Sequence, residues 1–166
     1  NPATFLPALF EKQKGKTYEE FIEGSDPAAL RWSDVVSQIL RQNPGVPLVI
    51  WCDEDTPLIW PEVLQAVSGH DDTTRLEETD ELLSGIMSPE GMARMQNYVE
   101  THPPASIQQR RRIVSAFLDK FALKDKVEME FTLPGWTDEI VTAMTARYAE
   151  DVALIRQMPG VTFIAA

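Results

Sequence analysis

Three consecutive acids, Asp53, Glu54 and Asp55, follow an apolar run from Pro47 to Cys52 and precede two prolines, Pro57 and Pro61. Clustered carboxylates are the ligands that hard divalent cations take. One cluster supplies too few oxygens without a phosphate or a second acidic element, so a structural role is expected at this turn. Its carboxylates accept backbone N–H groups and favour the N-terminus of the helix that follows. Lys14-Gly15-Lys16-Thr17 contains the Gly-Lys-Thr of a phosphate-binding loop, but Phe10 stands where that loop needs its first glycine. A helix rather than a strand precedes it, so the cradle of backbone amides cannot form and the segment reads as a basic loop.

Arg110, Arg111 and Arg112 are informative through their phase. Ile107 and Val114 share one helix face, and Arg110 and Arg111 lie one turn beyond Ile107. At least one guanidinium therefore runs along the edge of the buried stripe. It can hold an anion in its fork, or lay its stem on apolar surface and pair with one of 26 acids. Arg31-Trp32 poses the same choice. The two histidines, His70 and His102, have no metal-ligand spacing, and no serine or cysteine sits in a recognisable nucleophile turn. Acid–base and covalent catalysis are unsupported by any residue pattern.

The elements that must position these residues are mostly helices. Ala3 to Gln13 reads as a helix with Phe5, Leu6, Leu9 and Phe10 on one side, and Tyr18 to Ile22 as a further turn. Ser25-Asp26-Pro27 is a helix start, leading into Leu30, Trp32, Val35, Val36, Ile39 and Leu40 until Asn43-Pro44-Gly45. Val46 to Gly69 then reads as a buried strand, the acidic turn, and a short helix opened by Pro61 and stopped by Gly69, half of a βαβ unit. Asp71 to Asp80 reads as a loop. Helices are expected from Asp80 to Ile86, from Ser88 to the Pro103-Pro104 pair, and around Ile107 to Phe121. Val127, Met129, Phe131 and Leu133 alternate with polar residues, a period for an extended segment. Thr137 caps a helix carrying Val141, Met144, Tyr148, Val152 and Ile155, and Pro159-Gly160 turns into a last strand, Val161 to Ala165. The expected fold class is α/β and helix-rich with two or three strands, mainly α being the alternative, in a single domain over 1–166.

The chain has 166 residues, a hydrophobic content of 43% and a net charge of −11, enough to bury a core and too acidic to favour a nucleic-acid duplex or an anionic membrane. The lone cysteine, Cys52, cannot form a disulfide within the chain. No apolar run is long enough to span a bilayer and no signal peptide is visible, so a soluble cytoplasmic protein is expected. The start at Asn1-Pro2 suggests a piece of a longer chain.

With these residues laid out, the chain resembles the C-terminal part of a sulfotransferase-like protein of the P-loop superfamily. Asn1 to Phe10 (NPATFLPALF) is similar to the family's Arg-Asn/Asp-Pro segment with its later serine and aromatic. Leu48 to Gly69 (LVIWCDEDTPLIWPEVLQAVSG) resembles the family's apolar strand, Glu-Asp turn and helix ending in glycine. Tyr148 to Ile155 (YAEDVALI) looks like its closing helix. The resemblance implies a helix-flanked, P-loop-type parallel sheet and, for the intact protein, transfer of a sulfuryl group from an adenosine phosphosulfate donor to an acceptor. It implies that Asn1, Pro2 and Phe10 flank the donor site, with Glu54 and Asp55 supporting the sheet edge. The phosphate-binding loop and an arginine would precede Asn1, so no cofactor is expected on this chain by itself. Ala8 stands where the family has its donor-contacting serine, and Gly135-Trp136 distantly resembles the family's Gly-Asp-Trp loop, without the usual basic residues. A non-enzymatic helical module that docks a protein partner is the alternative, supported by six methionines and high helix content.

Overall fold

The computed structural model describes residues 1–71, 74, 76–128 and 133–166. Helix makes up about 64% of them, and two short strands, β1 (Leu48–Trp51) and β2 (Val161–Ile164), form a parallel pair. A helix-rich chain with a small parallel sheet is therefore what the described residues build.

Local chemistry sets most helix starts. Asn1 caps α1 (Pro2–Glu11), its carboxamide oxygen accepting the Ala3 N–H at 3.0 Å, and Pro2 occupies the first turn, where no N–H is needed. Pro7 lies inside α1 and has no N–H to offer the Ala3 carbonyl one turn back. The Trp136 indole N–H takes its place, donating to that oxygen at 3.1 Å. Thr17 and Glu20 close a capping box on α2 (Tyr18–Ile22). The hydroxyls of Ser88, Ser106 and Thr137 each accept one backbone N–H at the start of α6 (Pro89–Thr101), α7 (Ile107–Phe121) and α9 (Asp138–Ile155).

Several boundaries differ from expectation. Asp26-Pro27 opens only a 3₁₀ turn, Pro27–Ala29, because Leu30 and Arg31 are extended; α3 runs from Trp32 to Gln42. On α3, Ser33 and Val36 are buried whereas Val35 and Ile39 stay 44% and 39% exposed, so the apolar face is wider than the packed one. The apolar run before the acids is half-buried rather than buried, with Val49 42% exposed. After a 3₁₀ turn at Asp53–Asp55, α4 (Thr56–Ser68) begins at Thr56 and not at Pro61. Pro57 fits its first turn, and Pro61, one turn later, forfeits a single backbone bond. Gly69, at φ 68°, ends α4 in the left-handed region. α5 spans Glu81–Ile86, and Val127 closes the short α8 (Lys124–Val127) instead of starting a strand. Met129 to Thr132, the rest of the expected extended segment, lie outside the described residues.

Contacts divide the described residues into two compact units: those of Asn1–Ile50 with Glu130–Phe163, and those of Trp51–Met129 with Ile164–Ala166. In the first, α9 packs against α1 and α3, around Ala3, Leu6 and Met144 with Leu30, Trp136 and Val141 against them. In the second, α4 to α7 enclose Leu83, Met87, Met92, Met95 and Val114. There α6 and α7 meet at Gly91: a Cβ on it would fall 2.4 Å from Phe121 Cβ, so only glycine fits. Ser88 and Leu123 add backbone bonds, Ser88 N–H to Phe121 O and Leu123 N–H to Ile86 O, both 2.8 Å.

Candidate functional site

The residues that the family resemblance singles out near the N-terminus all lie in the first unit. Asn1 uses its carboxamide oxygen as a helix cap and donates its Nδ2 to Thr145 Oγ1 of α9 at 3.0 Å. Pro2 is buried in the first turn of α1. Phe10 packs edge-on against Tyr18, ring centroids 5.5 Å apart, and against Phe21 at the same distance; Tyr18 in turn meets Trp136 at 6.0 Å. The Tyr18 hydroxyl is buried without a hydrogen-bond partner among the described residues, and burial raises its pKa. Thr17, the hydroxyl of the Gly-Lys-Thr tripeptide, accepts the Glu20 N–H at 3.2 Å as a helix cap. That use, with no strand before it, is the behaviour of a loop and not of a phosphate cradle.

At the end of β1, Asp53 and Glu54 are exposed and Asp55 is half-buried. Asp55 takes the N-cap position of α4 without a side-chain capping bond, and the three acids lie at that helix's N-terminus, where negative charge is favourable. No group of three or more His, Cys, Asp or Glu among the described residues is arranged to hold a metal ion.

The arginines of α7 are both engaged. Arg110 forms an ion pair with Asp80, the residue that precedes α5. Arg111 forms one with Glu62 of α4 at 2.7 Å and also donates to the Ala165 carbonyl, with side-chain exposures of 19% and 16% for the pair. Arg111 Nε and Glu62 Oε2 are buried and have no hydrogen-bond partner among the described residues. An anion arriving at either arginine has a resident carboxylate to displace. Beside Asp80 a cavity of about 660 Å³ is lined by Glu77, Glu78, Asp80 and Glu81 together with Met92 and Gln96. Its acidic wall suits no anion.

Two contacts across the chain are not readable in the sequence, although Arg31 and the segment holding Asp151 are. Asp151, 5% exposed on α9, accepts the Trp32 and Ser33 backbone N–H groups at 2.7 and 3.1 Å, and the Ser33 hydroxyl donates to its other oxygen. It thus caps α3 from a distant helix, where Arg31 makes no capping bond of its own. Arg31 and Arg147 also converge: each Nη1 donates to the Ala28 carbonyl, at 3.3 and 3.1 Å. The Asp151 cap is buried and satisfied, which marks it as scaffold; the arginine pair faces solvent through Arg147.

No helix among the described residues is long and apolar enough to cross a membrane. Comparison of the chain with protein-family models, with curated proteins and with solved structures returns no match.

Proposed function

We propose that this chain is the C-terminal part of a sulfotransferase-like protein of the P-loop superfamily, with sulfuryl transfer a property of the intact protein. The observation that carries the reading is the order of elements around the small sheet. An apolar strand (β1), an acidic turn and a glycine-terminated helix (α4) fall on Leu48 to Gly69, and the closing helix α9 leads into β2, parallel to β1. Asn1 to Phe10 falls on α1, Leu48 to Gly69 covers β1 through α4, and Tyr148 to Ile155 is the C-terminal part of α9, in the family's order. In this reading Asn1, Pro2 and Phe10 flank an adenosine phosphosulfate donor held by a phosphate-binding loop supplied from before Asn1. The helix that Asn1 caps fixes their spacing. Ala8 removes a donor-contacting hydroxyl, so binding is expected to be weaker than the family pattern implies. Arg110 and Arg111 contribute to the scaffold through Asp80 and Glu62, and the acceptor lies beyond what these residues define.

The test is calorimetric titration with adenosine 3′,5′-bisphosphate of the 166-residue chain and of the full-length gene product. The reading expects binding to the full-length protein, weakened by Asn1→Ala and unchanged by Arg110→Ala, and none to the 166-residue chain. A full-length product that does not bind the bisphosphate, or whose sequence before Asn1 lacks a strand followed by a Gly-rich turn with a basic and a hydroxyl residue, would sink it. A helical module serving a protein partner is what remains in that case.

A further inference from the structure

Arg31, at the N-terminal boundary of α3, and Arg147, on α9, bring two guanidiniums to one point of the first unit. Their Nη1 atoms share one neutral acceptor, the Ala28 carbonyl, and Arg31 Nη1 also reaches the Leu30 carbonyl at 3.1 Å. Two like charges on one carbonyl oxygen repel each other, and a carbonyl offers no countercharge. Among the described residues neither arginine has a carboxylate within ion-pair distance, although the chain carries 26 acids. Of the acids close by, Asp26 accepts the Ala28 N–H at 2.9 Å and Asp151 is engaged by Trp32 and Ser33. The Nη2 and Nε donors of both arginines have no acceptor among the described residues. Arg110 and Arg111 each hold a carboxylate, whereas these two guanidiniums converge on a single neutral oxygen.

We propose that Arg31 and Arg147 form a binding site for a tetrahedral oxyanion, phosphate or sulfate, free or as the end group of an ester. Two guanidinium forks present several N–H donors to separate oxygens of such an anion, and its double charge relieves their mutual repulsion. The Ala28 carbonyl fixes both groups before the ligand arrives. Arg147 is exposed, so the anion enters from solvent, and Arg31 is half-buried, which limits screening on its side. The site lies within one compact unit and stands whether or not the chain belongs to a sulfotransferase-like protein.

The experiment is thermal unfolding of the 166-residue chain in sodium phosphate, and separately in methyl phosphate, with ionic strength held constant by sodium chloride. A ligand that binds only the native state raises Tm with the logarithm of its concentration above Kd. Expected is such a rise with Kd on the order of 1 mM for inorganic phosphate, lost in Arg147→Gln and reduced in Arg147→Lys, which keeps the charge but not the fork. Arg112→Gln, an exposed arginine on α7, is expected to respond like wild type. Tighter binding of methyl phosphate than of phosphate identifies an ester end group as the ligand; the reverse order identifies the free anion. The proposal is overturned if Tm does not depend on phosphate. It is equally overturned if Arg147→Gln lowers Tm yet keeps the full phosphate response, since the pair would then serve only the fold.

Discussion

A single carboxylate sets where α3 begins. Asp151 satisfies two backbone N–H groups and a hydroxyl at once, from a helix far along the chain. Replacing it by alanine leaves the two buried Ser33 donors without an acceptor and the half-buried Trp32 N–H to water; at about 1–3 kcal/mol for each buried group, Asp151→Ala is expected to lower stability by about 2–6 kcal/mol. Asp151→Asn keeps one acceptor oxygen and is expected to lose about half as much. Urea unfolding checks both, and an Asp151→Ala midpoint within error of wild type would contradict the capping role. Glu20 acts more locally. Its carboxylate accepts the Thr17 N–H at 2.8 Å, and that bond, with the Thr17 hydroxyl and the Lys16 charge, holds its pKa below the ordinary 4.5. A depressed carboxylate pKa stabilises the fold above the unfolded value and loses that contribution as pH falls through the folded one. The capping box of α2 is therefore expected to open below the usual glutamate range. NMR titration of the Thr17 amide would follow it, and Glu20→Gln, which keeps the acceptor, is expected to remove the pH dependence.

At the scale of elements, what could be read in advance was what depends on neighbours in sequence. Asn1, Thr17, Ser88, Ser106 and Thr137 all cap helices, and each lies within three residues of the amide it serves. Boundaries set across the chain were not legible: Asp26-Pro27 has the local chemistry of a helix start, but the long helix waits for Asp151 to supply its cap. The same distinction separates the candidate residues. Helix phase brought Arg110 and Arg111 to the edge of a buried stripe, whereas their partners Asp80 and Glu62 come from other helices. Arg147 had no distinguishing neighbour at all, because its relation to Arg31 exists only once α9 lies against α3. Gly91 is a further case, an ordinary glycine in a helix until α7 is packed against it. Alanine in an exposed helix gains about 1 kcal/mol over glycine, but overpacking costs about 1–3 kcal/mol or more. A Cβ placed 2.4 Å from Phe121 Cβ puts Gly91→Ala on the destabilising side. Expected is a fall in urea midpoint with unchanged far-UV helicity; a rise would mean that α6 and α7 are less closely packed than this geometry requires.

For the molecule as a whole, the decisive quantity is a net charge of −11 on 166 residues. Two effects of salt oppose each other. Screening weakens favourable ion pairs, and it also weakens the repulsion among acids in excess. The exposed pairs, Arg94 with Glu90 and Lys126 with Asp125, are of the kind worth about 0–1 kcal/mol, so screening them loses little. The pairs of Arg110 and Arg111 are largely buried, where added ions screen much less. Repulsion acts between many exposed carboxylates, including those around the cavity beside Asp80, over distances that exceed the Debye length of about 8 Å at physiological salt. The repulsive part is therefore the one that salt removes most completely. Raising sodium chloride from about 10 mM to about 200 mM, where the Debye length falls from roughly 30 Å towards 8 Å, is expected to raise Tm by a few degrees. Calorimetry at neutral pH gives the sign directly. A fall in Tm would mean that the ion pairs outweigh the excess charge. The same field opposes any anion approaching the surface, so a phosphate response of the Arg31 and Arg147 pair at constant ionic strength would have to arise from local geometry and not from the charge of the whole chain.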